Sequence, residues 1–372
     1  MNICFISPGY PGKHDKGDYA FVKQLVDAIA AEGNECYVLC PYNVFRFRMV
    51  IPIREKYKKG EGQVWVYRPW YISLSNVFSF TQRQNEKSYR RALRKAFNML
   101  PKMPDAIYGH FWNSAIRGYE FARDNNIPLF VATGESSIGH FISPTIVPKG
   151  FKDYISGVIC VSSKNRDESV EFGLTILDKC EVFPNAVNTE LFHWRERMEC
   201  RNKLGLPKDA FIIAFVGLFD DRKGSMRVSE AINRIGGVHS IFIGKGDKEP
   251  KCDGILFKGA LPHEQIPLYL CSADCFVLPT RAEGCCNAVI EAMACGLPII
   301  SSNRSFNWDV LDNTNSIMVD PDNIDEIASA IMTVRDNPSV RKQLAEGAIQ
   351  KASNLTIDKR AGKIIEFIKS RI

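Results

Sequence analysis

The sequence predicts an α/β protein built from two Rossmann-like domains that face a central cleft. The chain has 372 residues, which is too long for one ordinary hydrophobic core and suits two domains of about 180 residues. Short apolar runs alternate with amphipathic stretches in both halves, as in a parallel sheet covered on both faces. The alternation breaks near 184–192 and restarts at Phe211. We therefore predict an N-terminal domain at 1–190, a second domain at 191–355 and a separate C-terminal helix at 356–372.

The first domain is predicted to begin with a buried strand at 2–7, followed by a glycine-bearing loop. The later apolar runs are short enough to be strands, and the longer amphipathic stretches have helical periodicity. In chain order these elements are a helix at 19–32, strands at 35–40, 106–108, 129–132 and 157–161, and a helix at 89–100 that comes between the second and third strands.

The second domain repeats the same alternation. Its predicted strands are at 211–217, 239–244, 255–258, 275–278, 298–301 and 317–320. Its predicted helices include 287–294, 324–334, 339–353 and the amphipathic tail at 357–372. Ligands of such sheets bind at the carboxyl ends of the strands.

Composition excludes several classes of protein. Hydrophobic residues make up 45% and charged residues 24%, as in a soluble globular chain. We expect no secretory signal and no membrane span, because the chain begins with a short strand and no long apolar run follows. Most of the 12 cysteines lie in apolar runs, so we expect reduced core residues of a cytosolic protein. Their spacing lacks the paired pattern of a zinc site, so no metal is expected.

One segment is strongly basic and aromatic. Between Arg46 and Lys102 there are fourteen Lys and Arg against three Glu. For 45–59 we hold two interpretations open: contact with anionic lipid or a lipid-diphosphate acceptor, and an ordinary solvated surface with a few core aromatics. A nucleic-acid interface is a further interpretation that we rank last and do not expect.

The most informative segment is 279–298, which follows a predicted strand and opens a predicted helix. It places Glu283 in the turn and Glu291 about two turns into the helix. Amides at a helix N-terminus hold anions such as a diphosphate. Carboxylates accept hydrogen bonds from hydroxyl groups, so Glu291 suits a ribose and Glu283 suits a sugar. The sequence therefore predicts a site for both halves of a nucleotide sugar.

Glu283, seven further residues, Glu291 and the following Ala-Met-Ala-Cys-Gly-Leu-Pro resemble the signature of retaining glycosyltransferases of family 4, the glycosyl transferases group 1. The resemblance implies the GT-B fold, with the last helix crossing back to the first domain. It implies an acceptor-binding N-terminal domain and a donor-binding C-terminal domain. The donor-binding residues that it implies here are Gly17, Lys223, Gly259, Leu261, Glu283, Gly284, Asn287, Ala288, Val289 and Glu291, and we add Arg222 to them as a candidate.

Two positions depart from the family pattern. The turn at 217–224 keeps the family's lysine at Lys223, but Leu218 occupies the place of the usual arginine. Arg222 is a candidate substitute, because cations must neutralise a departing diphosphate when no metal does so. In the first glycine-bearing loop, Gly17 matches the second glycine of the family's pair, and Lys16 replaces the first.

The first domain contributes one predicted catalytic residue, His110, at the end of a strand where the family places a histidine near the sugar. With it we group Lys223 and Glu283 as catalytic. The segment 133–137, after another strand, is a candidate wall of the acceptor pocket.

Taken with these residues, the resemblance implies a metal-independent, cofactor-free transfer of sugar from a UDP- or GDP-sugar to a hydroxyl acceptor. The resemblance implies retention at the anomeric carbon, a role in surface polysaccharide or glycolipid assembly, and a saccharide or lipid-linked acceptor. The cytoplasmic protein could also be peripheral at the inner face of the membrane. Two alternatives stay open: a sugar-nucleotide 2-epimerase, which needs no acceptor, and a non-catalytic nucleotide-sugar-binding protein, which Leu218 and Lys16 would suit.

Overall fold

A computed structural model of the chain describes residues 1–12, 19–46, 53–74, 79–141 and 146–372. Its strands, in chain order, are β1 Asn2–Ile6, β2 Glu35–Leu39, β3 Tyr42–Asn43, β4 Arg54–Lys59, β5 Gly62–Tyr67, β6 Trp70–Tyr71, β7 Ala106–His110, β8 Leu129–Thr133, β9 Gly157–Cys160, β10 Cys180–Val182, β11 Ile212–Val216, β12 His239–Ile243, β13 Ile255–Gly259, β14 Cys275–Leu278, β15 Ile299–Ser302 and β16 Ser316–Val319.

The helices lie between these strands in both halves of the chain, as the alternating pattern predicted. They are α1 Ala20–Ala31, α2 Ser79–Phe97, α3 Trp112–Asp124, α4 Ile138–Phe141, α5 Phe151–Tyr154, α6 Ser163–Glu171, α7 Arg197–Leu204, α8 Ser225–Ile235, α9 Ile266–Ser272, α10 Asn287–Ala294, α11 Ile324–Asp336, α12 Pro338–Ala352 and α13 Ile357–Lys369.

The chain forms two compact units. Unit 1 comprises 1–161, 165–183 and 360–372, and unit 2 comprises 162–164 and 184–359. The C-terminal segment of α13 therefore belongs to unit 1, where Phe367 contacts Phe130 with ring centroids 6.0 Å apart.

Unit 1 contains an eight-stranded sheet in the order β10-β9-β8-β7-β1-β2-β5-β4. Neighbouring strands are parallel except for the edge pair β4 and β5, which is antiparallel. Strand β1 is buried on both sides, which explains its continuous apolar sequence. The side chains of Trp112 and Phe151 are also fully buried in this core.

Unit 2 contains a six-stranded parallel sheet in the order β13-β12-β11-β14-β15-β16. Because all six strands are parallel, their carboxyl ends lie at one edge of the sheet, which we call the ligand edge of unit 2. Chain connections after β11, β13, β14 and β15 all leave from this edge.

The basic and aromatic segment divides into core and surface parts. Tyr67 on β5 is buried, so it is a core residue and not part of a contact surface. Arg54 and Lys56 on β4 lie over the ring of Trp65, at 5.1 and 4.0 Å from its centroid. No strand is predicted here, because segment 45–59 is interpreted only as a contact surface or a solvated surface. Residues 47–52, within the predicted contact segment 45–59, lie outside the described residues.

All twelve cysteines are free, and eleven of them are buried. The eleven are core residues, as expected, whereas Cys252 is only partly buried. Among the described residues, no helix is both long and apolar enough to cross a membrane.

Gly244, directly after β12, allows two strand ends to approach closely. Its φ is +156°, and a Cβ atom there would lie 1.9 Å from the carbonyl oxygen of Gly217. We expect Gly244→Ala to destabilise unit 2 by about 3 kcal/mol through this clash and the unfavourable φ. The melting temperature should then fall by roughly 5–10 °C.

Gly205 provides the matched control for this prediction. It also has positive φ, +66°, but a Cβ atom would meet nothing within 4 Å. Gly205→Ala should therefore cost only about 1 kcal/mol. Equal melting temperatures for the two variants would contradict the close packing at Gly244.

Candidate active site

The donor loop, which we define as residues 279–286, connects β14 to α10 at the ligand edge. The predicted strand at 275–278 and helix at 287–294 are confirmed residue for residue. Cys286 is the cap residue of α10, and its carbonyl accepts a hydrogen bond from Ile290 N at 3.4 Å. The amides of Asn287, Ala288 and Val289 thus form the first turn of the helix, the part that attracts anions.

Glu283 in the donor loop forms ion pairs with two cations from the loop after β11. Its Oε1 lies 2.7 Å from Lys223 Nζ and 2.6 Å from Arg222 Nη1. The same oxygen accepts a hydrogen bond from Thr280 Oγ1 at 2.9 Å. The Glu283 side chain is only 13% exposed, so solvent screens these contacts weakly. Three residues that the sequence predicted therefore meet, together with a threonine that it did not single out as a site residue.

Lys223 remains positively charged although it is largely buried. Burial lowers the pKa of its ammonium, but the neighbouring Cys286 and Glu283 raise it by more, so the pKa lies above its ordinary value. Burial raises the pKa of the Cys286 thiol, so this thiol is neutral near pH 7. The Glu283 carboxylate is therefore the counter-charge of Lys223.

Arg222 reaches across to the donor loop from the turn that precedes α8. Its Nη1 also donates to the Ala282 carbonyl at 2.9 Å, while its own carbonyl accepts from Arg281 N at 2.8 Å. Leu218, where the family pattern has arginine, is about half exposed at the end of β11. The guanidinium at this edge thus comes from position 222.

Glu291 pairs with a histidine that the sequence reading missed. His263 Nε2 lies 2.9 Å from Glu291 Oε1. His263 follows Gly259 and Leu261, the residues predicted to hold the base, so this segment contacts the carboxylate that was predicted to bind a ribose. Glu291 lies a little over one turn into α10, which begins at Asn287, and not two turns as predicted. No motif signals this pair, because its partners lie 28 residues apart.

The pKa of His263 is raised mainly by its hydrogen bond to Glu291, although burial opposes the shift. Replacing the anion in Glu291→Gln should lower that pKa. We expect an NMR titration of the His263 ring to show the fall. Glu264→Gln, which removes a weaker charge interaction, should change the pKa less.

The same shift has a defined effect on stability. The folded-state pKa of His263 is above its unfolded value of about 6.5. Its contribution is therefore fully present below pH ~6.5 and is lost as the pH rises through the folded value. The free energy of unfolding of wild type should therefore exceed that of Glu291→Gln by the largest amount below pH ~6.5, and the difference should shrink as the pH rises. An unchanged His263 pKa in Glu291→Gln would contradict the assignment.

His110 ends β7 in unit 1 and is buried. Burial, with a smaller contribution from the Arg360 charge, lowers its pKa to about 3, so the imidazole is neutral near pH 7. Its Nδ1 has no hydrogen-bond partner among the described residues. Phe21 and Phe111 contact the ring, with centroids 5.3 and 4.8 Å away. A neutral histidine with an unused buried nitrogen suits hydrogen bonding to a ligand better than charge stabilisation.

The backbone directly after His110 is in an unfavourable conformation. Phe111 has φ +70°, which is costly for a bulky residue and persists only where the surroundings impose it. Glu135 supplies that support: its Oε1 accepts from Trp112 N at 2.9 Å. Its Oε2 accepts from Thr133 Oγ1 at 2.7 Å. Glu135, expected in an acceptor wall, therefore holds the start of α3 beside His110.

Gly17 and Lys16 lie outside the described residues. Gly284 lies in the donor loop beside Cys285, whose carbonyl accepts from Asn185 Nδ2 at 2.9 Å. Across the described ranges, no group of three or more His, Cys, Asp or Glu residues is arranged to hold a metal ion.

Unit 2 thus collects a helix N-terminus, a buried lysine, an arginine and two carboxylates at one edge. Such a set can bind a diphosphate through cations and amides, and hydroxyl groups through carboxylate oxygens. The developing charge on a departing phosphate would be stabilised where it forms.

Residues 196–351 match the family model described as glycosyl transferases group 1. The chain is 26% identical over 351 residues to the putative teichuronic acid biosynthesis glycosyltransferase TuaC of Bacillus subtilis, covering 89% of this chain and 88% of that protein. It is 22% identical over 307 residues to a D-inositol 3-phosphate glycosyltransferase of Thermomonospora curvata, covering 70% of each chain.

Solved structures are similar over the whole chain. Sucrose-phosphate synthase from Thermosynechococcus elongatus has a TM-score of 0.81 at 20% identity, covering 100% of this chain and 98% of that one. HepE from Anabaena, in complex with UDP-glucose, has a TM-score of 0.75 at 16% identity, covering 100% of both chains. This likeness establishes the GT-B fold.

Proposed function

We propose that this chain, which has the GT-B fold and whose residues 196–351 match the glycosyl transferases group 1, is a glycosyltransferase that moves a sugar from a UDP- or GDP-sugar to a hydroxyl acceptor. The observation that carries the proposal is the meeting of Lys223, Arg222 and Glu283 beside the N-terminus of α10. A nucleotide sugar is the ligand class that uses a diphosphate site, a sugar-binding carboxylate and a ribose-binding carboxylate together.

Each group has a role in this proposal. The diphosphate lies at the first amides of α10, with Lys223 and Arg222 as its cations. Glu283 shares its Oε1 with those cations and uses Oε2 to accept from the transferred sugar. Glu291, fixed through Oε1 by His263, accepts from ribose hydroxyls through Oε2. Gly259 and Leu261 contact the base through their backbone.

We propose retention at the anomeric carbon by a front-face reaction. The glycosidic bond to the donor phosphate breaks, the acceptor oxygen bonds to the anomeric carbon on the same face, and the departing phosphate takes the acceptor proton. Lys223 and Arg222 stabilise the charge on that phosphate, so the reaction needs no metal ion. His110, together with Gly17, is assigned to the sugar end of the donor.

The acceptor is proposed to be a saccharide or a lipid-linked saccharide of surface polysaccharide or glycolipid assembly. Two similarities support this class: TuaC is named for teichuronic acid biosynthesis, and LpsE of Rhizobium meliloti, 28% identical over 155 residues, is named for lipopolysaccharide core biosynthesis. We place the reaction at the cytoplasmic side of a membrane.

Unit 1 offers a surface for peripheral contact with that membrane. Large exposed apolar side chains cluster where the chain leaves β2 and β5, and we call them the apolar ridge: Val44, Phe45, Ile53, Trp70, Ile72 and Leu74. The backbone links this group, since Tyr42 N bonds to Pro69 O and Arg68 N to Ile53 O. Exposed cations on the adjoining β4 include Arg54, Lys56 and Lys58. An apolar ridge beside cations suits an anionic lipid surface.

Sedimentation with vesicles tests this contact. Phosphatidylglycerol vesicles should bind the protein, and Phe45→Ser combined with Leu74→Ser should weaken that binding. Phosphatidylcholine vesicles should bind much less, since about 1 kcal/mol per surface cation is lost without anionic lipid. Equal binding of wild type and double variant would remove the apolar ridge as a membrane surface.

Product analysis tests the proposed function. The protein would be incubated with UDP- and GDP-sugars, in EDTA, with and without a panel of saccharide and polyprenyl-linked acceptors. NMR of the products should show a glycoside with the anomeric configuration of the donor. An epimerised nucleotide sugar formed without acceptor would identify the 2-epimerase. Donor binding without turnover in any mixture would identify a non-catalytic binding protein.

A further inference from the structure

Trp308 is an exposed aromatic residue at the ligand edge of unit 2, beside the donor loop. It lies in the loop that follows β15, and its side chain is 60% exposed. Strand β15 is the direct neighbour of β14 in the sheet, so both loops leave the sheet side by side. Single exposed apolar residues are common, so exposure alone would carry no inference.

The indole of Trp308 is held in one orientation. Its Nε1 donates to Asn303 Oδ1 at 3.0 Å. The loop itself is fixed by the buried Asn307, whose Nδ2 donates to the Ser302 carbonyl at 2.8 Å and to Ser301 Oγ at 3.2 Å. A pre-oriented aromatic side chain loses little conformational entropy when a ligand binds.

Hydrogen bonds join the end of β15, from which this loop leaves, to the donor loop and its carboxylate Glu283. Ser302 Oγ donates to the Thr280 carbonyl, and Thr280 Oγ1 donates to Glu283 Oε1 at 2.9 Å. Asn303, the partner of the indole, is the next residue after Ser302. The loop of Trp308 is therefore fastened to the donor loop close to the residue proposed to hold the transferred sugar.

An indole whose N–H is already bonded presents a flat apolar face to a ligand. A pyranose ring has one face made mainly of C–H groups, which can pack on such a surface, while its hydroxyls stay at the polar rim. Charged pairs lie in this loop and in the donor loop: Arg304 pairs with Asp320 at 3.2 Å, and Arg281 pairs with Asp322 at 2.7 Å. A membrane or apolar protein surface would leave these ionised groups poorly solvated, whereas a saccharide would not.

We propose that Trp308 forms a saccharide-stacking subsite that holds a pyranose ring of the acceptor beside the donor sugar. This inference rests on the proposed function, because it assumes that unit 2 binds a nucleotide sugar. It adds an acceptor-binding residue to unit 2, where the residues assigned so far serve the donor.

Trp194 is a matched control in the same unit. Its exposure is also 60%, and its ring packs near Gly296, beyond the carboxyl end of α10. Because α10 runs back from the ligand edge, Trp194 lies toward the opposite edge of the sheet. It shares residue type and exposure with Trp308 but not location.

The test measures binding of methyl glycosides of glucose, galactose, mannose and N-acetylglucosamine by saturation-transfer NMR, with saturating UDP or GDP present. Wild type should bind at least one glycoside. Trp308→Ala should weaken that binding by about tenfold, or about 1.4 kcal/mol, while Trp308→Phe keeps most of it. Trp194→Ala should bind as wild type does. Nucleotide affinity and melting temperature should be the same in all four proteins.

Unchanged glycoside binding by Trp308→Ala would overturn the inference, as would the absence of glycoside binding by wild type that binds nucleotide. Equal loss in Trp308→Ala and Trp194→Ala would also overturn it, because the effect would not depend on location. A failure of the proposed function gives a different result: wild type would bind neither UDP nor GDP, regardless of how the Trp308 variants bind glycosides.

Discussion

Lys223→Met should reduce kcat/KM for glycosyl transfer by about 10²–10³, the usual effect of removing one group that stabilises developing charge in a transition state. Methionine keeps most of the volume of the buried side chain but cannot neutralise a departing diphosphate. Glu283 keeps Arg222 as its partner at 2.6 Å, so the fold should persist. The measurement is steady-state kinetics with the nucleotide sugar that wild type uses.

Lys203→Met is the matched control, because Lys203 is an exposed lysine of unit 2 on α7. Its kinetics should equal those of wild type. Activity of Lys223→Met within about threefold of wild type would contradict this prediction. Lys223 would then serve only to neutralise the charge of Glu283 and would not stabilise the transition state.

Arg222→Ala should reduce kcat/KM by about 10², and Leu218→Arg should restore part of that loss in the double variant. The reason is that the family pattern places its arginine at position 218, whereas this chain brings a guanidinium to the donor loop from position 222. Arg222→Lys should remain well below wild type, since an ammonium cannot make the paired hydrogen bonds of a guanidinium.

The double variant separates two roles of Arg222. Recovery of at least about tenfold means that charge at the diphosphate is what was lost. Loss of activity without any recovery means that Arg222 acts by holding the Ala282 carbonyl and Glu283 in place. Full activity of Arg222→Ala would contradict both roles.

Much of the fold could be read from the sequence because its strands are buried on both faces. Such strands are continuous apolar runs, and β14 and α10 match the predicted bounds completely. Strands β4, β5 and β10 were not predicted. Strand β4 is charged and solvent-facing on one side, β5 lies in the same basic and aromatic segment, and β10 has only three residues. Strands β4 and β5 form a hairpin in which Gly60 and Glu61 join Lys59 to Gly62, so the sequence did contain a local turn signal.

The residues of the candidate site could likewise be predicted only in part. Glu283, Lys223 and Arg222 could be predicted to act together, because their loops follow strands that become neighbours in a parallel sheet. His263 could not be paired with Glu291, since nothing local links a 3₁₀ turn to a helix 28 residues later. The support that Glu135 gives to the start of α3 could not be predicted either, because it depends on the strained backbone at Phe111.

The most direct test of the central claim is calorimetric titration of wild type and Glu291→Ala with UDP and GDP in EDTA. We predict that one nucleotide binds wild type without a metal ion. We also predict that Glu291→Ala weakens its binding by about 10–100-fold, the value of hydrogen bonds to a charged group. Binding of neither nucleotide, or equal binding by wild type and Glu291→Ala, would contradict a nucleotide-sugar site at the ligand edge of unit 2.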